Sequence, residues 1–179
     1  MTLAPDGTTE FSRPLRLDRL SAGTFDADYE ASASETAALA TRFDLPGIQS
    51  LSGSLRVRRP GNGPLIRVEG RVRAEVTQVC VVTLEEVANR IEESFVQLYT
   101  TAPHPEDSEV FVSPDDEDTP EPLTGNSLDL GEILAEQLAL ALDPYPRAPG
   151  AEFGTASAET SPDEERNPFA KLAELRWRH

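Results

Sequence analysis

LSGSLRVRRPGNGPLIRVEGRVRAEV, residues 51–76, decides how the rest of the chain is read. Leu51, Gly53, Leu55 and Val57 alternate with Ser52, Ser54, Arg56 and Arg58, the period of two that marks a half-buried strand. Pro60, Gly61, Asn62, Gly63 and Pro64 then break the run, since proline fixes the backbone and glycine frees it. Beyond the break, Ile66, Val68, Val72, Ala74 and Val76 fall on one parity, and Arg67, Glu69, Arg71, Arg73 and Glu75 on the other. The pattern predicts a long hairpin in an antiparallel sheet with one apolar and one wet face.

Working outward, residues 12–20 and 24–32 alternate in the same way and read as short strands. Ser32 and Glu35 have the spacing of a capping box, opening a helix over 33–43 with Ala38, Leu39 and Phe43 on one face. Val87, Ile91, Phe95 and Tyr99 fit a strand or a helix face, and their β-branched and aromatic character favours a strand. The stretch SLDLGEILAEQLALALDPYPRAP, residues 127–149, places Leu130, Ile133, Leu134, Leu138, Ala141 and Leu142 at helical spacing. A helix over 128–142 follows, capped by Asn126 or Ser127 and stopped by Pro144 and Pro146. Residues 101–125 hold eight acidic residues and no Lys or Arg, a composition of disorder. Asn167 and Pro168 open a last short helix with Phe169, Leu172 and Leu175 on one face.

The expected architecture is therefore α+β: a twisted antiparallel sheet of five or six strands, curled toward a barrel, with two main helices and a short C-terminal one. The expected organisation is a disordered start over 1–10, one domain over 11–149 containing the acidic loop 101–125, a flexible linker over 150–166 and the terminal helix over 167–179. About 125 ordered residues suffice for one modest core.

With 16 Lys+Arg against 32 Asp+Glu, the 179-residue chain carries a net charge of −16. Such acidity argues against a protein that simply coats RNA, because that affinity comes from neutralising phosphates. It suits solubility, or attraction to a basic partner. The single cysteine rules out an intramolecular disulfide and fits a reducing compartment. The first twenty residues lack the apolar core of an export signal, and no stretch reaches the ~20 apolar residues of a membrane span. Cytoplasmic location is the expectation.

Little catalytic chemistry is visible. Cys80, His104 and His179 are too few for a structural zinc site, and both histidines lie in acidic or terminal segments. Cys80 reads as a small buried side chain with no cation or helix start near it in sequence to activate the thiol. No nucleophile–base arrangement and no phosphate-binding glycine loop occurs, so no enzyme activity, metal or cofactor is expected. The arginines carry more information. Arg56, Arg58, Arg59, Arg67, Arg71 and Arg73 face only Glu69 and Glu75 within residues 51–80, a local excess of positive charge. Antiparallel pairing would gather them on the wet face as a candidate RNA contact, guanidinium being well matched to phosphate. The competing reading is a ladder of cross-strand ion pairs. Asp115, Asp116, Glu117 and Asp118 are candidates for meeting a basic protein. Trp177, between Arg176 and Arg178, is a candidate for meeting a partner or stacking on a base, weighed against packing on its own domain.

Three segments, AEVTQVCVVTLEEVANRIEESF (74–95), the DLGEI–EQLALAL–P helix and the closing NPFAKLAEL, occur in an order that resembles the YceD family. The resemblance is to an alphaproteobacterial-like form and spans roughly residues 15–176. It implies a bacterial, non-enzymatic ribosome biogenesis factor supporting accumulation of 23S rRNA, with the rRNA or a large-subunit precursor as partner. Many such sequences carry a second cysteine three positions after the first; Thr83 stands there in this chain, which removes the metal-type pair. The alternative is an acidic chaperone or adaptor for a basic ribosomal protein, without direct RNA contact. Neither reading needs a membrane or a small-molecule substrate.

Overall fold

The computed structural model describes residues 9–20, 23–61, 63–102, 120–123 and 125–152. The chain divides into two compact units, Met1–Ala148 and Pro149–His179, and of the second only residues 149–152 are described. The expected start over 1–10, the acidic loop, the linker and the terminal helix therefore fall wholly or largely outside the described residues.

The first unit is α+β. Its main sheet runs in the order β2 (Thr24–Glu30), β3 (Gly47–Arg58), β4 (Leu65–Val79), β5 (Glu86–Thr100) and β6 (Glu121–Pro122). The first four strands pair antiparallel, while β6 adds parallel to the end of β5 through Tyr99 and Thr100. A separate two-stranded sheet joins β1 (Pro14–Arg16) to β7 (Ser127–Asp129). The sheet is thus mixed rather than wholly antiparallel, and it is not closed into a barrel. The expected strand at 12–20 shortens to three residues followed by a 3-10 turn, Leu17–Leu20, because its partner β7 is itself only three residues long.

Alternation holds through the hairpin. Leu51, Leu55, Val57, Ile66, Val68, Val72, Ala74 and Val76 are buried, and the intervening residues face solvent. A register shift between Ile48 and Ser50 lets Gln49 and Ser50 both point outward while Ile48 and Leu51 both stay in the core. The buried face receives α1 (Ala33–Arg42) and α2 (Leu130–Ala141), which contribute Leu39, Leu130, Ile133, Leu134 and Leu138 to one core cluster. Gly53 and Gly70 sit on this face. A Cβ at Gly53 would overlap Leu134 of α2, and one at Gly70 would overlap Phe95 and Leu55. The absent side chains let Leu134 of α2 settle onto the sheet at Gly53 and let Phe95 and Leu55 of the flanking strands lie across Gly70.

Both helix starts are capped, one as expected. Ser32 and Glu35 form the complete capping box of α1. For α2 the cap is Asp129 rather than Asn126 or Ser127, because residues 127–129 are used as strand β7. The Asp129 carboxylate accepts from the backbone N–H groups of Gly131 and Glu132, and also from Ser12 Oγ at 2.5 Å and Arg13 N–H at 2.7 Å. The N-terminal segment is thereby fastened across the start of α2.

Candidate nucleic-acid interface

The register determines what the arginine face contains. Across the open side of the sheet, Asp26, Arg56 and Glu69 lie in one row, and Glu30, Ser52, Arg73 and Glu92 in another. Asp28, Ser54, Arg71 and Ser94 form the row between them. The hairpin does gather Arg56, Arg58, Arg67, Arg71 and Arg73 on one solvent face, but β2 and β5 bring carboxylates among them. Arg56 pairs with Asp26 (2.5 Å), Arg73 with Glu92 (3.0 Å), and Arg71 with Glu92 (3.6 Å) and with Ser94 Oγ through Nε (3.2 Å). Arg90, which the reading of residues 51–80 did not include, joins through Glu75 at 3.1 Å. The excess of positive charge within that window is offset in three dimensions by residues from outside it.

The hairpin end is different. Arg58 lies directly opposite Arg67, with Thr24 and Leu98 completing the row. Like charges opposite each other disfavour the pair. The two guanidiniums share one carboxylate, Glu69, at 4.0 Å and 2.8 Å. Proximity to Arg67 first, then to Arg58 and Arg56, holds the Glu69 carboxyl below its usual range. Arg59 donates through Nε to the backbone carbonyl of Gly63, inside the turn. Two guanidiniums therefore meet a single carboxylate here, and Arg58 and Arg67 remain roughly half exposed. Along the middle of the sheet, Asp26, Asp28, Ser54, Arg56, Glu69 and Arg71 line a shallow open recess of about 570 Å³.

Cys80 follows β4 and begins a tight turn. Its N–H donates to Glu85 O, its carbonyl accepts from Leu84 N–H, and Leu84 takes a positive φ of 61°. The side chain is fully buried, as expected, but it is not simply apolar. The backbone N–H groups of Val82, Thr83 and Ala148 donate to Sγ at 3.4, 3.3 and 3.2 Å. Hydrogen bonding from the Thr83 side chain, then from these amides, lowers the thiol pKa to about 6. Val81 N–H also bonds Pro146 O, and Gln78 Nε2 bonds Asp143 O. The Cys-containing turn and the proline-rich exit of α2, two segments that carry the resemblance, are thus in direct contact. Among the described residues no group of three or more His, Cys, Asp or Glu is placed to hold a metal ion, and no helix is long and apolar enough to cross a membrane. Asp115, Asp116, Glu117, Asp118, Trp177 and both histidines lie outside the described residues.

Fold and site together define a small α+β protein with a helix-covered sheet and an ion-paired open face. Residues 68–176 match the family described as Large ribosomal RNA subunit accumulation protein YceD, and the chain belongs to that family. No curated protein and no solved structure matches it significantly. The match begins within β4, takes in the Cys80 turn, β5 and α2, and ties the chain to accumulation of the large-subunit rRNA.

Proposed function

We propose that the chain is a non-enzymatic assembly factor that supports 23S rRNA accumulation by touching the RNA backbone with the end of its β3–β4 hairpin. The observation that carries this reading is Arg58 facing Arg67 across the hairpin with one carboxylate between them. A half-exposed surface pair is worth only about 0–1 kcal/mol, so Glu69 holds these guanidiniums weakly and a phosphate can take its place. Arg56, Arg71 and Arg73, closer to carboxylates of neighbouring strands, serve mainly to keep the face neutral. With a net charge of −16, the rest of the molecule repels RNA and confines contact to this end.

Binding of purified 23S rRNA across a salt series tests the reading. Replacing Arg58 and Arg67 by Gln is expected to weaken binding and to flatten the slope of log K against log salt by about 1 per arginine. Arg73→Gln is expected to change it little. A folded double variant with unaltered slope removes the hairpin end from the interface.

A second reading, a chaperone for a basic ribosomal protein, is favoured by Asp28 and Glu30. These carboxylates stand on the outer face of β2 and have no ion-pair partner among the described residues. Sedimentation of the tagged protein with large-subunit precursors, with and without ribonuclease, separates the two. Loss of co-sedimentation after ribonuclease supports the RNA contact, and persistence supports the protein partner.

A further inference from the structure

The long strand β5 has one open side. Among the described residues only Tyr99 and Thr100 meet another strand there, leaving residues 86–98 unpaired on that side. Its pairing with β4 is unbroken over the whole strand, without a bulge, and no proline interrupts it. Native edges are usually shortened, bulged, covered or broken by proline to prevent strand addition; among the described residues this one carries only charged side chains for that purpose.

The hydrogen bonds at its ends show which groups point outward. Thr100 O accepts from Leu123 N–H on the β6 side, while Thr101 N–H and Glu85 O bond toward β4. Even-numbered residues of β5, from Glu86 to Leu98, therefore present their N–H and C=O groups along the open side.

We propose that this edge binds the same edge of a second copy, antiparallel about a two-fold axis at Ile91. Charge and length together select that register: an axis at Ala88 also sets Arg90 against an acid, Glu86, but pairs only residues 86–90 of the strand. With Ile91 opposite Ile91, Arg90 faces Glu92 of the second copy and Glu92 faces its Arg90, both by outward-bonding pairs. On the other face Val87 meets Phe95, and Asn89 meets Glu93. Shifting the axis to residue 90 places Arg90 against Arg90, and shifting it to 92 or 93 places Glu92 against Glu92 or Glu93 against Glu93. Arg90, whose side chain is 82% exposed, is free to turn from Glu75 toward the new partner. The paired segment runs from Glu86 to Val96, so β6, which meets only Tyr99 and Thr100, is undisturbed. A C2 contact of this kind uses one patch twice and closes on itself.

Sedimentation equilibrium of the full chain at physiological salt is expected to show a concentration-dependent doubling of mass. Ala88→Pro removes an outward N–H and leaves the β4 ladder intact; it is expected to weaken the dimer at least tenfold with an unchanged circular dichroism spectrum. Register is read by crosslinking under mild oxidation. Ile91→Cys, at a closely approaching pair on the axis, is expected to give a disulfide-linked dimer, and Asn89→Cys is not. A monomer at all concentrations overturns the proposal. So does dimerisation that needs residues 103–119 removed, since the chain's own segment would then occupy the edge, or equal crosslinking by both cysteine variants.

Discussion

Gly131 shows how one missing side chain joins distant parts of the chain. It lies in the first turn of α2, and a Cβ there would overlap the backbone carbonyl of Phe11. A backbone obstacle cannot rotate away, whereas the obstacle at Gly53 is chiefly the flexible end of Leu134. Gly131→Ala is therefore expected to cost about 1–3 kcal/mol in urea unfolding, and Gly53→Ala less; the reverse order would show that the N-terminal crossing gives way easily. Cys80 makes a second residue-scale case. Its pKa is lowered to about 6 against an ordinary 9.0, so the fold favours the thiolate. Stability from this group is complete above pH 9 and is lost as pH falls through 6. The margin of wild type over Cys80→Ala is expected to widen between pH 5.5 and 9, with thiolate absorbance near 240 nm rising around pH 6. Equal margins at both ends would mean that the amides hold a neutral thiol. Burial of Cys80 was legible from its place in the sequence, but its donors were not. Val82 and Thr83 reach the sulfur only through the turn, and Ala148 comes from beyond α2.

Among the elements, α1 was readable because its signals are local. Ser32 and Glu35 are three positions apart, and the box forms within one turn. What the spacing did not disclose is that Glu35 also takes a forked pair from Arg13, at 2.7 and 3.1 Å, bringing the N-terminal segment onto the helix start. The Arg13 bond first, then the Ser32 backbone, lowers the Glu35 pKa to about 2. A depressed carboxyl stabilises the fold above its ordinary value of 4.5 and ceases to do so as pH falls to about 2. Glu35→Gln is expected to cost about 1–3 kcal/mol at pH 7 and much less at pH 2.5, measured by urea unfolding at each pH. An unchanged cost at low pH would assign the effect to packing. The start of α2 was less readable for a tertiary reason. Asp129 draws on Ser12 and Arg13, more than a hundred positions away, and its neighbours Ser127 and Leu128 are committed to pairing with β1.

Across the whole molecule, charge read along the chain and charge read across the sheet give different answers. The hairpin's parity placed the arginines on one face, but the acids that answer them sit at Asp26, Glu92 and, beside Arg90, Glu75. Strand order decides which rows meet, and a linear window cannot contain it. The same distinction applies to residues 103–119, which hold seven of the acidic residues and no Lys or Arg. Thr100 lies beside Pro122 in the β5–β6 register, so a short Gly/Ser linker is able to join residue 102 to residue 120. Replacing 103–119 in this way takes the net charge to −9. The core cluster draws on Phe11 through Tyr99 and on Leu128 through Leu138, so the melting temperature is expected to move by no more than about 2–4 °C. Binding of purified 23S rRNA is expected to persist and to strengthen at low salt, where long-range repulsion is least screened. Co-purification with a basic ribosomal protein is expected to survive as well if the hairpin end is the contact, and to disappear if the acidic stretch is. Loss of RNA binding by a variant that melts like the parent chain would mean that the arginines of the hairpin end do not suffice and that the deleted segment is needed for the contact.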